Sequence, residues 1–388
     1  MIHSIRIQNY QSINEEVVLN FVVSDNAPKT SKYVKDESGT RITLVQTLIG
    51  ANASGKTSIL RAIPLLKWLL VDSFESGFSL RNRYKPFAGA KKNQPTSLAV
   101  AFEVDGSIYE YETQLLDGRI ISEHLATKTR AKIRTTTKML FSRVWDKKSN
   151  KYIVHSKRGF VRTPFANMSE SDLACASFIA IAGRYGDAIP KQLLSYWRSF
   201  QTNIEVSQEL MPLGYHTYVA LSRLSKDPEA MKPFERYDFS IEKYNSENGS
   251  PGTFTHSYKG KSFDIEVDEE SSGTKQFIIL LEKLGNVLKY GGVGVIDEAD
   301  AYLHSFLLNE LVSQFFDPAK NPHKAQLLMS THSHQVLANL DKYQIVITEK
   351  TDGETRAIRL DEISGVRSDD NYFAKYMASK YGGVPYIK

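Results

Sequence analysis

The spacing of apolar and polar residues predicts a strand, a glycine loop and a helix in the first part of the chain. Residues 2–7 alternate between apolar and polar, and a short apolar run at 17–21 follows, so both suit strands. The run at 43–49 is rich in strand-forming residues and ends at a glycine. Helical composition follows over 57–70, and we expect Pro64 to interrupt that helix.

The next segment, 96–162, has the pattern of antiparallel strands joined by tight turns. Its clearest turn is Asp105-Gly106, a strong hairpin signal between two apolar runs. A second hairpin is predicted from strands at 139–145 and 151–154.

Longer helical periods over 169–245 predict a compact helical lobe, and strand and loop patterns return at 246–270. The remaining pattern alternates helix and strand, which favours an α/β fold. Helices are predicted at 274–289 and 303–316, and strands at 293–296, 325–329 and 343–348.

The composition is that of an ordinary folded protein. The 388 residues are 41% hydrophobic, enough for a large core. No apolar run approaches the ~20 residues that cross a membrane, and the opening residues lack a signal-peptide plan. Cys175 is the single cysteine, so no internal disulfide is possible and a cytoplasmic location is expected. Cys175 lies in an apolar stretch and is interpreted as a core residue.

One stretch fits the phosphate-binding P-loop pattern G-x-x-x-x-G-K-[ST] between the predicted strand and helix. Gly50 and Gly55 allow backbone N–H groups to converge on phosphate oxygens, and the helix adds its positive end. Lys56 would reach the β- and γ-phosphates of ATP, and Thr57 would ligate Mg²⁺. A chance glycine-rich turn is the alternative, which the flanking elements disfavour. The predicted ATP-binding residues are Gly50, Asn52, Ala53, Ser54, Gly55, Lys56, Thr57 and Ser58.

Asp297 and Glu298 follow the predicted buried strand at 293–296. A strand of this kind delivers side chains to its carboxyl edge, where α/β sheets bind ligands. Asp297 fits the Walker-B role of holding Mg²⁺ through water, and Glu298 would orient or deprotonate the attacking water. Taken alone, the pair could equally be surface acids at a strand end.

His332 follows the predicted strand at 325–329 and lies beside Ser330 and Thr331. A polar cluster at a strand tip can sense the γ-phosphate, whereas a structural histidine or a helix cap is the alternative. His334 is a near neighbour, and the pattern of residues alone does not choose between the two histidines.

Ser272 and Gly273 precede the predicted amphipathic helix at 274–289. A serine and a glycine at a helix start form an anion site, but the P-loop already occupies one end of the nucleotide. The economical interpretation is that Ser272 and Gly273 of one subunit cap the γ-phosphate held by the other subunit of a homodimer. A plain helix cap is the alternative.

Positive charge is concentrated in the segment 119–162. It holds thirteen Lys and Arg against two acidic residues, a net charge of +11 in a chain whose total is +5. Lys128, Arg130, Lys132 and Arg134 alternate, so a strand would place all four on one face. This face could bind nucleic acid through phosphates, or could be a solvated face or a dock for an acidic protein.

In their order along the chain, these motifs resemble the ABC-type ATPase heads of the RecF and SMC class. Residues 5–12 look like the opening strand of that class, and residues 298–304 look like its D-loop. The resemblance implies that Asp300 acts across the subunit interface and that His332 is the switch histidine. Thr274 and Lys275 depart from the fuller Ser-Gly-Gly-Gln signature, and Gln94 is the candidate Q-loop residue.

The resemblance implies an α/β, ABC-type P-loop ATPase head with an antiparallel β lobe and an inserted helical lobe. The corresponding division is an N-terminal ATPase part over 1–168, a helical lobe over 169–250 and a C-terminal ATPase part over 251–388. It implies ATP and Mg²⁺ as cofactors, and Glu298, His332 and Lys56 as the catalytic residues.

The Ser-Gly-Thr signature, the D-loop run and the tail at 346–385 also resemble bacterial AAA-type ATPases of phage-defence and abortive-infection loci. This narrower resemblance implies a sensor or regulator that acts with a separate effector protein encoded nearby. A RecF-like DNA-binding ATPase in DNA repair is the first alternative, and an ATP-gated scaffold for an effector is the second. A transporter subunit and a P-loop kinase fit the signature and the long insertion less well.

Overall fold

The computed structural model describes residues 1–75, 79–130, 135–161, 165, 168–205, 213–226, 241–246 and 252–384. Two large sheets form the frame of these residues, and helices pack on both. Among the described helices, none combines the length and the apolar character that a membrane crossing requires.

The described strands are named here in chain order. They are β1 (Ile2–Gln8), β2 (Val17–Asn20), β3 (Tyr33–Lys35), β4 (Arg41–Thr43), β5 (Val45–Ile49), β6 (Thr96–Val104), β7 (Ser107–Leu116), β8 (Arg119–Arg130), β9 (Thr135–Asp146), β10 (Lys151–Ser156), β11 (Gln201–Thr202), β12 (Ile241–Asn245), β13 (Thr253–Tyr258), β14 (Lys261–Glu266), β15 (Val293–Ile296), β16 (Gln326–Ser330), β17 (Ile345–Thr351) and β18 (Glu354–Arg359).

The described α-helices are also named in chain order. They are α1 (Lys56–Val71), α2 (Glu170–Cys175), α3 (Phe178–Arg184), α4 (Ala188–Arg198), α5 (Leu213–Leu224), α6 (Ser272–Tyr290), α7 (Ser305–Gln314) and α8 (Tyr372–Met377).

The first sheet is antiparallel, with seven strands in the order β10-β9-β8-β7-β6-β1-β2. Both predicted hairpins are confirmed, as β6–β7 and β9–β10. Asp105 and Gly106 have φ angles of 44° and 72°, the left-handed values that a tight type I′ turn requires at both positions. These strands form the antiparallel β lobe.

The second sheet has six strands in the order β11-β15-β16-β5-β17-β18. The first five are parallel, and β18 returns antiparallel to β17. Every residue of β5, β15 and β16 is buried, as expected for parallel strands covered on both faces. The α/β fold with a P-loop head, an antiparallel β lobe and inserted helices is therefore confirmed.

The predicted interruption of the first helix at Pro64 is wrong. Helix α1 runs unbroken from Lys56 to Val71, and Pro64 is one of its buried residues. Proline removes only one backbone hydrogen bond, while most residues of α1 pack into the core, so tertiary packing keeps the helix intact.

The helices of the interval 169–245 belong to two different hydrophobic cores. Helices α3 and α4 pack through Phe178 and Trp197 with α1 and the antiparallel sheet. Helix α5 packs through Leu221 against α6 on the side of the parallel sheet. The division of the chain at 168 and 250 stays a prediction, since residues near both boundaries lie outside the described ranges.

One cation of the basic segment is a structural residue. Arg143 is 1% exposed at its side chain and donates from Nε to Oε2 of Glu123 at 2.6 Å. Its other nitrogens donate to the backbone oxygens of Leu173 and Ala176, at 2.7 and 2.6 Å. The pair therefore fastens α2 and the start of α3 to the antiparallel sheet, and Arg143 is not available to a ligand.

Other cations of this segment are also engaged. Lys128 pairs with Glu110 at 2.8 Å, and Arg119 stacks over Trp145 and pairs with Glu170. The predicted alternating face is not described beyond Lys128, because the side chain of Arg130 and the positions of Lys132 and Arg134 lie outside the described residues. Arg162, elsewhere in the basic segment, lies outside them as well. The exposed cations of the β9–β10 region are Lys138, Lys147, Lys148, Lys151, Lys157 and Arg158.

Replacing Arg143 should destabilise the protein strongly. Arg143→Met leaves the buried carboxylate of Glu123 without its cation, and breaking such a pair typically costs about 3–5 kcal/mol in the free energy of unfolding. The exposed Lys138→Met is the matched control and should change stability by less than about 0.5 kcal/mol. Thermal unfolding of both variants measures the difference. Equal stability of the two would contradict the fastening role.

Candidate nucleotide site

The P-loop forms one wall of a cavity at the carboxyl edge of the parallel sheet. The loop joins the end of β5 to the start of α1, where Lys56 is 6% exposed. Nζ of Lys56 donates to the backbone oxygens of Gly50 at 2.8 Å and Ala51 at 3.0 Å. The cavity has a volume of about 390 Å³ and is lined by Ser12, Asn52, Ala53, Ser54, Gly55, Lys56, Thr57, Ser58, Glu298, His332 and Lys350.

Two glycines of this loop are required by close packing as well as by backbone conformation. A Cβ on Gly50 would lie 2.2 Å from the backbone oxygen of Thr348. Gly55 has a φ angle of 102°, and a Cβ there would lie 1.9 Å from Oγ1 of Thr355. The β17–β18 hairpin therefore presses directly on the loop, and side chains are excluded from both positions.

A network of hydroxyl groups fixes the loop against its neighbours. Oγ of Ser54 lies 2.8 Å from Oγ1 of Thr348, and Oγ1 of Thr355 donates to the backbone oxygen of Ser54 at 3.1 Å. Ser12, just beyond β1, lies 2.7 Å from Thr355 and donates to Ser58 at 2.8 Å. Sequence reasoning missed these contacts, since the partners are up to 343 residues apart along the chain.

The C-terminal segment also contacts the loop. The backbone N–H of Ala51 donates to the backbone oxygen of Gly383 at 2.7 Å, and Tyr376 donates to the same oxygen at 2.9 Å. Pro385, the last residue of the tail that carries the narrower resemblance, lies outside the described residues.

Asp297 and Glu298, the predicted Walker-B pair, are both held by a serine on the neighbouring strand. Oγ of Ser330 donates to Oδ1 of Asp297 at 2.5 Å and accepts from the backbone N–H of Glu298 at 2.8 Å. Glu298 has a φ angle of 48°, an uncommon conformation for a residue with a side chain, and it lines the cavity. Ser330 thus fixes both the predicted metal ligand and the turn that aims the predicted base.

Asn203 is a second positioning residue that sequence reasoning missed. It follows β11, and its side chain donates to the backbone oxygen of Asp297 at 2.8 Å. Its Oδ1 accepts from the backbone N–H of Asp297 at 2.9 Å. Strand β11 pairs with β15, which places Asn203 beside Asp297. Gln94, the candidate Q-loop residue, instead accepts from the backbone N–H of Lys91 at 3.2 Å and does not line the cavity.

His332 lines the cavity, whereas His334 is not among the lining residues and packs against Tyr376. The backbone N–H of His332 donates to Oδ1 of Asp300 at 3.0 Å. The ring of His334 lies 4.9 Å from that of Tyr376. Burial lowers the pKa of His334, and the nearby His332 and Lys56 lower it further, against a smaller upward effect of Asp300. The structure therefore brings His332, and not His334, to the P-loop.

Lys56 is subject to two opposing effects. Burial lowers the pKa of its ammonium group, and the carboxylates of Asp297, Glu298 and Asp300 act in the opposite direction. The downward effect is the larger. A phosphate group placed in the cavity would supply the anion that favours the charged form of Lys56.

The signature residues lie outside the cavity of their own chain. Ser271, not Ser272, caps α6, because its Oγ accepts from the backbone N–H of Thr274 at 3.0 Å. Ser272 is exposed. A Cβ on Gly273 would lie 2.8 Å from the backbone oxygen of Tyr302, so the signature sits against the D-loop.

The side chains present at this edge fit ATP and Mg²⁺ chemically. The loop combines one buried ammonium group with the positive end of a helix, which suits polyphosphate. Thr57 and Asp297 offer hydroxyl and carboxylate oxygens, the ligands that Mg²⁺ prefers.

These features define an α/β P-loop ATPase head of the ABC type. A family model described as "AAA domain, putative AbiEii toxin, Type IV TA system" matches residues 47–160 and 175–338, and the chain belongs to this family. This match confirms the predicted resemblance to ABC-type ATPase heads and to AAA-type ATPases of abortive-infection loci.

Similar structures include heads of SMC proteins. An SMC head in a crystal structure bound to the C-winged helix domain of ScpA has 16% identity and a TM-score of 0.48, covering 93% of this chain and 99% of that chain. The SMC head domain from Thermotoga maritima has 14% identity and a TM-score of 0.40, covering 92% of this chain and 98% of that chain. A search of curated proteins found no match.

Ser330 should act by positioning the carboxylates. Ser330→Ala removes the donor to Asp297 and the acceptor for Glu298, and loss of such a supporting contact typically costs about 10- to 100-fold. We expect ATP hydrolysis to slow by that factor in kcat, with a smaller change in KM. Ser333→Ala, on the following turn, is the matched control. A wild-type kcat in Ser330→Ala would contradict the role.

Proposed function

We propose that this chain is a Mg²⁺-dependent ATPase whose two copies associate around two ATP molecules. The observation that carries the proposal is the separation of its motifs. The P-loop, Glu298 and His332 share one cavity, while Ser272 stands exposed outside it. Because Ser272 does not line the cavity of its own chain, we infer that it contacts the γ-phosphate bound in the cavity of a second copy.

In the proposed site, one chain supplies the loop and the catalytic groups. Lys56 would bind the β- and γ-phosphates, helped by backbone N–H groups of the loop and by Ser58. Thr57 and Asp297 would hold Mg²⁺, which when bound neutralises charge on the phosphates. Glu298 would take the proton of the attacking water, and His332 would contact the γ-phosphate.

The second chain would supply Ser272, Gly273 and Asp300. One contact supports a common face for them: Gly273 lies against Tyr302, two residues after Asp300 in the D-loop. Because such an interface is two-fold symmetric, one contact creates two equivalent nucleotide sites. ATP would hold the dimer together, and hydrolysis would release it.

We further propose that this cycle makes the protein a sensor or regulator in bacterial anti-phage defence, with a separate effector protein as its partner. Support comes from the family description, which names a toxin of a type IV toxin–antitoxin system. Co-purification with a protein encoded nearby would support this role.

A RecF-like ATPase that acts on DNA is the second candidate. The observation in its favour is the group of six exposed cations around the β9–β10 hairpin, of which Lys147 and Lys148 lie in the turn. Contacts of such residues with phosphates are independent of sequence and weaken with salt. Stimulation of hydrolysis by DNA without any partner protein would favour this candidate.

Replacing the proposed base should trap the dimer. Glu298→Gln keeps the shape of the side chain but cannot accept the proton, and loss of a general base typically lowers the rate by about 10²–10⁴. We expect this variant to bind ATP and to accumulate as an ATP-dependent dimer, measured by light scattering with and without ATP. Lys56→Ala is the control and should remain monomeric. An unchanged hydrolysis rate in Glu298→Gln would remove Glu298 from its role.

Replacing the signature serine should separate ATP binding from dimerisation. Ser272→Arg places a large side chain in the proposed interface but leaves the chain's own cavity intact. In the Glu298→Gln background, we expect ATP affinity to be kept and the dimer to be lost. Ser262→Arg, on the exposed strand β14, is the matched control. An ATP-dependent dimer that survives Ser272→Arg would rule out the signature contact.

A further inference from the structure

A second cluster of ligating side chains lies at the opposite edge of the parallel sheet from the nucleotide cavity. His3, Asp36 and Glu103 come from three separate segments, and their ligating atoms all lie within 4.8 Å of one another. The three residues are only 6%, 5% and 7% exposed. We propose that they bind a divalent transition-metal ion, which fastens the first strand to the sheet and to the β3–β4 turn.

The local backbone is built to direct these side chains toward each other. The pairing of β1 with β6 shifts register between Ile2 and Ser4, so His3 is the extra residue of a β-bulge. A bulge re-aims a side chain that regular pairing would point elsewhere. Glu103 lies near the end of β6, on the strand that pairs with this bulge.

Asp36 is held in a turn that uses only one of its oxygens. Its Oδ1 accepts from the backbone N–H of Thr40 at 2.7 Å and from the hydroxyl of Ser38 at 2.8 Å. Its Oδ2 is buried and receives no hydrogen bond from the described residues. That oxygen lies 3.6 Å from Nε2 of His3. This is close to the spacing of about 3.4 Å between two ligands that lie about 2.1 Å from a tetrahedral ion.

The carboxylate of Glu103 reaches the same turn. Its Oε1 accepts from the backbone N–H of Glu37 at 3.1 Å, which ties β6 to the residue after Asp36. Each carboxylate thus has one oxygen committed to the protein backbone, which leaves the other carboxylate oxygen as the candidate ligand. This arrangement orients ligands in many metal sites, where hydrogen bonds from the surroundings fix the ligating carboxylates.

The charge of the cluster also favours a divalent cation. If ionised, the carboxylates of Asp36 and Glu103 would place two negative charges in a buried cluster, and buried charges need compensation. A protonated His3 would cancel one of them, whereas a divalent ion cancels both. Two nearby amino groups donate to backbone oxygens. That of Met1 donates to the oxygen of Glu103 at 2.7 Å, and burial lowers its pKa to about 5, while that of Lys324 donates to the oxygen of Lys35 at 3.2 Å.

The location assigns this ion a structural role. The side chain of Gln326 accepts from the backbone N–H of Ile2 at 2.6 Å and donates to its oxygen at 3.0 Å, next to His3. Gln326 begins β16, and Ser330 at the end of the same strand holds the Walker-B pair. The full length of the strand therefore separates the cluster from the nucleotide cavity, and metal binding should leave ATP affinity unchanged.

The test uses the full chain, treated with a chelator and dialysed, then titrated with zinc chloride by calorimetry. We expect about one tight site per chain, and a rise in Tm of about 3 °C at free zinc about 100 times Kd. Cobalt chloride should give the visible absorption of a site with nitrogen and oxygen ligands.

Three variants separate this site from adventitious binding. His3→Gln and Asp36→Asn keep the approximate shapes of their side chains and should each lose the zinc-dependent rise in Tm and the cobalt spectrum. His155→Gln replaces an exposed histidine of β10 and should retain both. The proposal is overturned if the wild type takes up no zinc, or if His3→Gln binds it as the wild type does. A simple ion pair of His3 with Asp36 predicts that zinc and chelator leave the Tm of the wild type unchanged, which would also overturn it.

Discussion

The site depends on the register of three adjacent parallel strands. Strand β16 pairs with β15 on one side, up to Ile296 opposite Met329, and with β5 on the other, up to Ser330 opposite Leu48. All three strands therefore end at the same level. That alignment brings the P-loop, Asp297, Glu298 and His332 to one edge, although they lie up to about 280 residues apart in sequence. A shift of one strand by a residue would separate Ser330 from the carboxylate of Asp297 and the backbone N–H of Glu298.

Local signals predicted most of the fold and the core of the site. The P-loop pattern, the Asp105-Gly106 turn and the continuous apolar strands each depend on a few neighbouring residues, and the structure has them at the expected places. The predicted interruption of the first helix at Pro64 was the clear error, because burial of most of that helix outweighs the low helix propensity of one proline. The choice between His332 and His334 came from the family resemblance, and the geometry of the cavity agrees with it.

The contacts that the sequence could not predict are those between distant segments. Ser12, Asn203, Ser330 and Thr355 are ordinary polar residues, and only the strand order shows that they touch the motifs. The internal use of Arg143 was likewise hidden, since a lysine- and arginine-rich segment gives no sign of which cation is buried. The His3, Asp36 and Glu103 cluster belongs to the same group, because a bulge and a turn bring its members together.

The central claim is that each nucleotide is bound by two chains, and mixing two inactive variants tests it most directly. In a dimer of Lys56→Ala with Ser272→Arg, one site carries both changes and the other carries neither. If the sites are shared, the equimolar mixture should recover hydrolysis that neither variant has alone, up to about half of the wild-type rate, because only the mixed dimer has an intact site and it has one of two. A mixture no more active than the two variants measured separately would contradict the account.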